Sequence, residues 1–180
     1  MYTYKNDTTL KADIKFGLEN ENLIRKQLSG YLKEKENLPT LKLKKIKNQF
    51  YEFDFSDKNN DCLVELKTRK VTYNAYPTSM IGFNKIEKGL KKLKKNRDMN
   101  IFIVFNFTDR ICYHKLSLKY KKFYLKNVKA YSYKQKPPKD YLYFPVKNLH
   151  TLHKKVSTTT TVKSINQSFN DNDFQNMLSY

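Results

Sequence analysis

The chain has 180 residues, with 36 lysines and arginines against 17 aspartates and glutamates, for a formal net charge of +19. That length suits one domain with a core of its own, and so large a cationic excess favours a polyanionic partner, nucleic acid ahead of an anionic membrane surface. Four glycines and no Gly-rich phosphate loop exclude a nucleotide-fuelled activity, and no apolar run is long enough to span a bilayer.

Taken in chain order, residues 1–12 are polar and carry no signal-peptide apolar region, which predicts a soluble, intracellular protein. FGLENENLIRKQLSGYL (16–32) predicts a helix that ends in the loop around Pro39, with Ile24, Leu28 and Leu32 as its apolar stripe. LKLKKIK (41–47) alternates weakly and predicts a strand. QFYEFDF (49–55) alternates clearly, with Tyr51, Phe53 and Phe55 facing one way and Glu52 and Asp54 the other. SDKNND is a turn signal and CLVELKTR (62–69) the next strand, so 49–69 reads as a hairpin.

YNAYPTSMIG (73–82) reads as a loop punctuated by Pro77 and Gly82. FNKIEKGLKKLKKNRD predicts a helix with Asn84 as its cap and Ile86, Leu90 and Leu93 buried. MNIFIVFNF (99–107) has the length and β-branched content of a central strand buried on both faces, and RICYHKLSL follows as its antiparallel partner. KFYLKNVKAYSY predicts another strand, and YLYFPVKNLHTLHKK a short strand and a helical turn. A Thr-rich linker and an acidic tail follow, so the expected domain spans 1–156, with 157–180 as linker and tail. Ile165, Phe169, Phe174 and Leu178 of that tail are placed to dock on a partner protein or a second copy of the chain. The element order predicts an α/β fold, a central mixed sheet flanked by helices.

The second strand of the hairpin carries polar residues where chemistry is plausible. Glu65 and Lys67 share one strand face, with Val64, Leu66 and Thr68 on the other. If the apolar sets of both strands face one core layer, Asp54 joins Glu65 and Lys67 on the remaining face, with opposed side chains roughly 5 Å apart. Two carboxylates so placed suit one hard divalent cation; the alternative is an ordinary solvated face. Glu21 lies three residues before Ile24, on the buried stripe of the first helix, and a core-facing glutamate needs a reason such as a metal.

A glutamate on the first helix, FDF in one strand, VELKTR in the next and a Lys-rich helix after a loop resemble the restriction-endonuclease-like nucleases of the PD-(D/E)xK superfamily. The stretch from ELKTR to YPTSMIGFNKI looks most like viral and phage-type members. The resemblance covers about residues 14–107. It implies Mg²⁺-dependent phosphodiester hydrolysis, with Mn²⁺ able to substitute, and a restriction-endonuclease-like core. Asp54 and Glu65 would be metal ligands, Glu21 an added one, and Lys67 the group that assists the nucleophile. Asn84 or Lys85 would match a basic or amide side chain from the following helix. DNA is the expected substrate, with RNA as an alternative, and a double-strand cutter of this kind would use two copies of the chain, one site per strand. A non-catalytic nucleic-acid-binding protein on the same fold is the competing reading. The proline of the superfamily name is absent, since Phe53 precedes Asp54.

Lys85, Lys88, Lys91, Lys92, Lys94 and Lys95 decorate one helix, either as a solvated face or as phosphate contacts. Arg69, Tyr73 and Tyr76 sit just past the proposed site, where they could touch a strand or pack in the loop. His150 and His153 have i, i+3 spacing without a supporting ligand cluster, and Cys62 and Cys112 lack metal-ligand spacing.

Overall fold

The computed structural model describes residues 23–47, 53–131 and 139–155. Helical residues 23–36 (α1) end at Asn37, whose φ of 53° breaks the helix just before Pro39. Among the described residues nine strands follow: β1 (Lys44–Lys45), β2 (Phe55–Asp57), β3 (Cys62–Thr68), β4 (Thr78–Gly82), β5 (Asn100–Asn106), β6 (Arg110–Lys115), β7 (Val128–Tyr131), β8 (Lys139–Pro145) and β9 (His150–Lys154). Helix α2 (Phe83–Lys95) stands between β4 and β5, and α3 (Lys121–Lys126) between β6 and β7.

Six strands form a mixed sheet in the order β1-β2-β3-β5-β6-β9, in which β3 and β5 run parallel. The crossover between them contains α2, the connection that parallel neighbours require. A second, three-stranded sheet has the order β4-β8-β7. The architecture is therefore α/β with a mixed central sheet flanked by helices, as the sequence implies.

The large sheet is buried on both faces. One layer joins Ile24, Leu28 and Leu32 of α1 to Phe55, Val64, Leu66, Phe102 and Val104. The other joins Leu63, Ile101, Ile103 and Phe105 to Ile86, Leu90 and Leu93 of α2 and to Phe144 of β8. Helix α2 packs closely because Gly89 lacks a Cβ, which would lie 2.4 Å from Leu116 Cδ2. All of β5 except its first residue is buried, the continuous apolar run expected of a covered parallel strand.

Several local expectations are corrected. Phe53 and Phe55 do not share a face: Phe53 packs with α2 and Phe55 with α1. The chain bends at Asp54, so the alternation read over 49–55 is interrupted there, and β2 begins only at Phe55. The stretch 73–82 is not all loop, because β4 forms by pairing with β8, a partner far along the chain that local pattern does not reveal. Of the strand expected from Lys122 on, residues 122–126 are helical and only Val128–Tyr131 are extended, as β7. The cap of α2 is Gly82, with no side-chain cap from Asn84. His150 and His153 lie on strand β9, where i, i+3 spacing does not bring side chains together, and the His153 ring stacks on Tyr31 at 4.8 Å. The tail 157–180 lies outside the described residues.

His114, on β6, is buried, and its pKa falls from 6.5 to about 4 through desolvation first and the His150 charge second. A depressed histidine stabilises the fold fully above the unfolded pKa, and that stability is lost as pH falls from about 6.5 towards 4, where the unfolded chain binds the extra proton. The span corresponds to about 3 kcal/mol. Urea titrations at pH 7 and pH 4.5 should show this loss in the wild type, and His114→Gln should flatten it.

Candidate active site

Glu65 sits at the middle of β3, in register with Ile103 of β5. Alternation along β3 turns Leu63, Glu65 and Lys67 toward α2. Because α2 and the second sheet cover that face, Glu65 is 0% exposed, so the solvated-face alternative does not hold. Its Oε1 lies 2.6 Å from Lys67 Nζ, and Lys85 Nζ of α2 donates a hydrogen bond to its Oε2 at 3.1 Å. Burial raises the Glu65 pKa most strongly; Lys67 and Lys85 oppose the rise and the Asp54 charge adds to it.

Asp54 lies beside Glu65 across the β2–β3 pair. Its backbone N–H donates to Val64 O at 3.0 Å, and its Oδ2 accepts from the N–H of Leu66 at 2.7 Å. The carboxylate is thereby fixed against the strand between the residues that bear Glu65 and Lys67. The bend at Asp54, which spoils the simple strand pattern, is what turns this acid onto the backbone of β3.

The donor set fits a hard divalent cation. Both candidate ligands are carboxylates, and Glu65 Oε1 is a buried oxygen whose partner is the Lys67 ammonium at 2.6 Å. No group of three His, Cys, Asp or Glu side chains able to hold a metal occurs among the described residues. Glu21, the expected third carboxylate, lies outside them. The described part of α1 packs its stripe on the sheet face opposite Glu65.

Lys67 and Lys85 open onto a cleft of about 520 Å³. Asn84 and Glu87 of α2 form one wall, and Lys139, Asp140 and Tyr141 of β8 the other. No local pattern in the sequence marks the β8 wall. It arrives through the pairing of Gly82 with Tyr141, a long-range register with no local signature.

The remaining predicted residues divide. Arg69 ties β3 to β4: its Nε donates to Ser79 Oγ at 3.1 Å, its Nη2 donates to Met80 O, and the guanidinium lies 5.8 Å from the Phe105 ring centroid. Tyr73 packs in the loop, with its hydroxyl donating to Val146 O at 2.7 Å and Arg110 over its ring at 4.4 Å. Tyr76 is 63% exposed. Lys88, Lys91 and Lys95 are exposed on α2, Lys92 is half-buried, and only Lys85 of this group turns to Glu65. Cys62 and Cys112 are buried free thiols. No described helix is long and apolar enough to cross a membrane.

A protein-family model described as "Phage putative PDDEXK endonuclease" matches residues 12–127, from before α1 through α3. No curated protein and no solved structure matches.

Proposed function

Because the chain belongs to this family of phage PDDEXK endonucleases, we propose that it is an Mg²⁺-dependent endonuclease acting on DNA, with Mn²⁺ able to replace Mg²⁺. The observation that carries the reading is the buried Glu65 beside Asp54, held between two lysines that line a cleft. Asp54 and Glu65 would hold the cation, and Glu21 is proposed as an added ligand. A bound divalent cation supplies Lewis acidity and neutralises charge on the phosphate.

The protein's own groups do the rest. Lys67, one-third exposed, reaches from buried Glu65 toward the cleft. There it can orient the attacking water or donate to a phosphate oxygen as negative charge develops. Lys85 holds a second positive charge at the same carboxylate, and Lys139 adds one from the opposite wall. Together they attract a phosphodiester to a site whose carboxylates alone would repel it.

The experiment is cleavage of a labelled panel of single strand, duplex, flap, fork, four-way junction and RNA, with Mg²⁺ or with EDTA. Cleavage of DNA with Mg²⁺ alone is expected. No cleavage of any member would leave a binding protein on a nuclease fold, and cleavage of RNA alone would reassign the substrate.

Binding has its own signature. Lys91 and Lys95 lie exposed on α2, and if they contact phosphates, affinity falls with salt with a slope of about −0.9 per phosphate neutralised. Replacing both with alanine should weaken binding to all sequences alike and flatten that slope, measured by anisotropy in EDTA. An unchanged slope would put the DNA path on another face.

A further inference from the structure

A second cavity, about 800 Å³, opens past the C-terminal end of α2 against β6. It shares no lining residue with the cleft at Glu65. Its lining includes His114, 9% exposed. His114 Nε2 lies 2.8 Å from the Tyr124 hydroxyl, and that hydroxyl oxygen also accepts the Ser117 N–H at 3.2 Å. Tyr124 is fully buried, so its own proton has one acceptor in reach, Nε2. The imidazole, kept neutral by burial, therefore carries its proton on Nδ1, an assignment that follows from the hydrogen-bond network. Nδ1–H has no acceptor among the described residues.

The surroundings say what would satisfy it. The Tyr120 ring, 42% exposed, stands 5.7 Å from the imidazole, and Phe144 lies behind at 4.9 Å. Lys119 Nζ lies 4.8 Å from the Tyr120 centroid. Arg97 and Lys119 are exposed at the rim and make no ion pair among the described residues. Lys115 differs, because Glu36 holds it at 2.9 Å.

We propose that this cavity binds one unpaired nucleotide, with its base against Tyr120 and His114 and its phosphate on Arg97 and Lys119. An aromatic wall accepts any base by stacking. The Nδ1–H can donate to a ring nitrogen or exocyclic oxygen, and two rim cations that make no ion pair among the described residues suit a phosphate. An apolar ligand would leave the donor and both cations unmatched, and inorganic phosphate would leave the aromatic wall unused. Glu65, Ile103 and His114 lie in one row across β3, β5 and β6. Two strand spacings separate the ends, about 10 Å, so a strand engaged at Glu65 has further nucleotides close to this cavity. A base delivered within a strand rests on the nuclease reading; a free nucleotide does not.

The test uses the full chain in EDTA, with calorimetry of deoxyadenosine monophosphate and of inorganic phosphate, and fluorescence of a single-stranded oligonucleotide carrying 2-aminopurine. At least one nucleotide probe should bind, and Tyr120→Ala should weaken it at least about fivefold, in the range of stacking losses. Inorganic phosphate should bind at least tenfold more weakly. A response by the oligonucleotide alone identifies a strand-borne base, and a response by the mononucleotide identifies a free one. The mononucleotide arm requires neither metal nor cleavage, so failure of the nuclease reading leaves this result standing. Indifference of both nucleotide probes to Tyr120→Ala, or phosphate binding as tightly as the nucleotide, overturns the proposal.

Discussion

Replacing Glu65 with glutamine should lower cleavage by at least about a hundredfold without lowering the melting temperature of the metal-free protein. The activity loss follows if a metal-ligating charge disappears and transition-state stabilisation disappears with it, an effect of order 10²–10³ or more. The stability side follows from burial. Glu65 is fully enclosed and its pKa is raised, by desolvation first and by Asp54 in addition. A raised carboxyl binds its proton more tightly in the folded state, so stability is lost as pH rises from the ordinary carboxylate range through the folded pKa. Glutamine has no proton to lose and should remove that slope. Lys67 and Lys85 lose the carboxylate charge but are 33% and 23% exposed, so water can reach both ammonium groups. Parallel thermal melts and single-turnover rates test both halves.

Lys67 and Lys85 should respond differently to substitution, although both pair with Glu65. Lys67→Met should reduce the rate at saturating Mg²⁺ by about 10²–10³-fold, the loss expected when a donor to developing charge is removed. Lys85→Met should instead lower the Mg²⁺ concentration that gives half-maximal rate by about tenfold or more. Its ammonium lies 3.1 Å from Glu65 Oε2, where it competes with a cation for the same carboxylate. At an effective dielectric of ~20, unit charges 4 Å apart interact by ~4 kcal/mol, so tenfold is a modest expectation. Mg²⁺ titrations of the two variants separate the roles. Equal falls in saturated rate with unchanged half-saturation would put both lysines at the phosphate.

The pattern of legible and illegible features has a physical basis. Glu65 and Lys67 were readable because the strand period of two fixes their common face whatever lies above it. The stripe Ile24, Leu28 and Leu32 and the stripe Ile86, Leu90 and Leu93 were readable because helix period fixes them equally well. The layering of the sheet has no such local signature. A sheet covered on both sides has no solvent face, so the polar face around Glu65 became a buried charge cluster. The bend at Asp54 interrupted an alternation that looked regular. Strand β4 and the β8 wall of the cleft exist through mutual pairing between distant segments, and the pattern around Pro77 and Gly82 carries no mark of it. Among the lysines of α2, Lys85 stands out in the sequence only through the family resemblance; the helix pattern itself does not separate it, because that takes the crossing of α2 over β3.

The most direct measurement is single-turnover cleavage by Asp54→Asn across a Mg²⁺ series, beside the wild type, on the best substrate of the panel. The amide of the substituted side chain keeps an oxygen able to accept from Leu66 N–H, so the fold is retained while the charge is lost. The account predicts wild-type cleavage that vanishes in EDTA, and at least about a hundredfold slower cleavage by the variant at every Mg²⁺ concentration. A wild-type rate in the variant, or cleavage by the wild type that persists in EDTA, would contradict it.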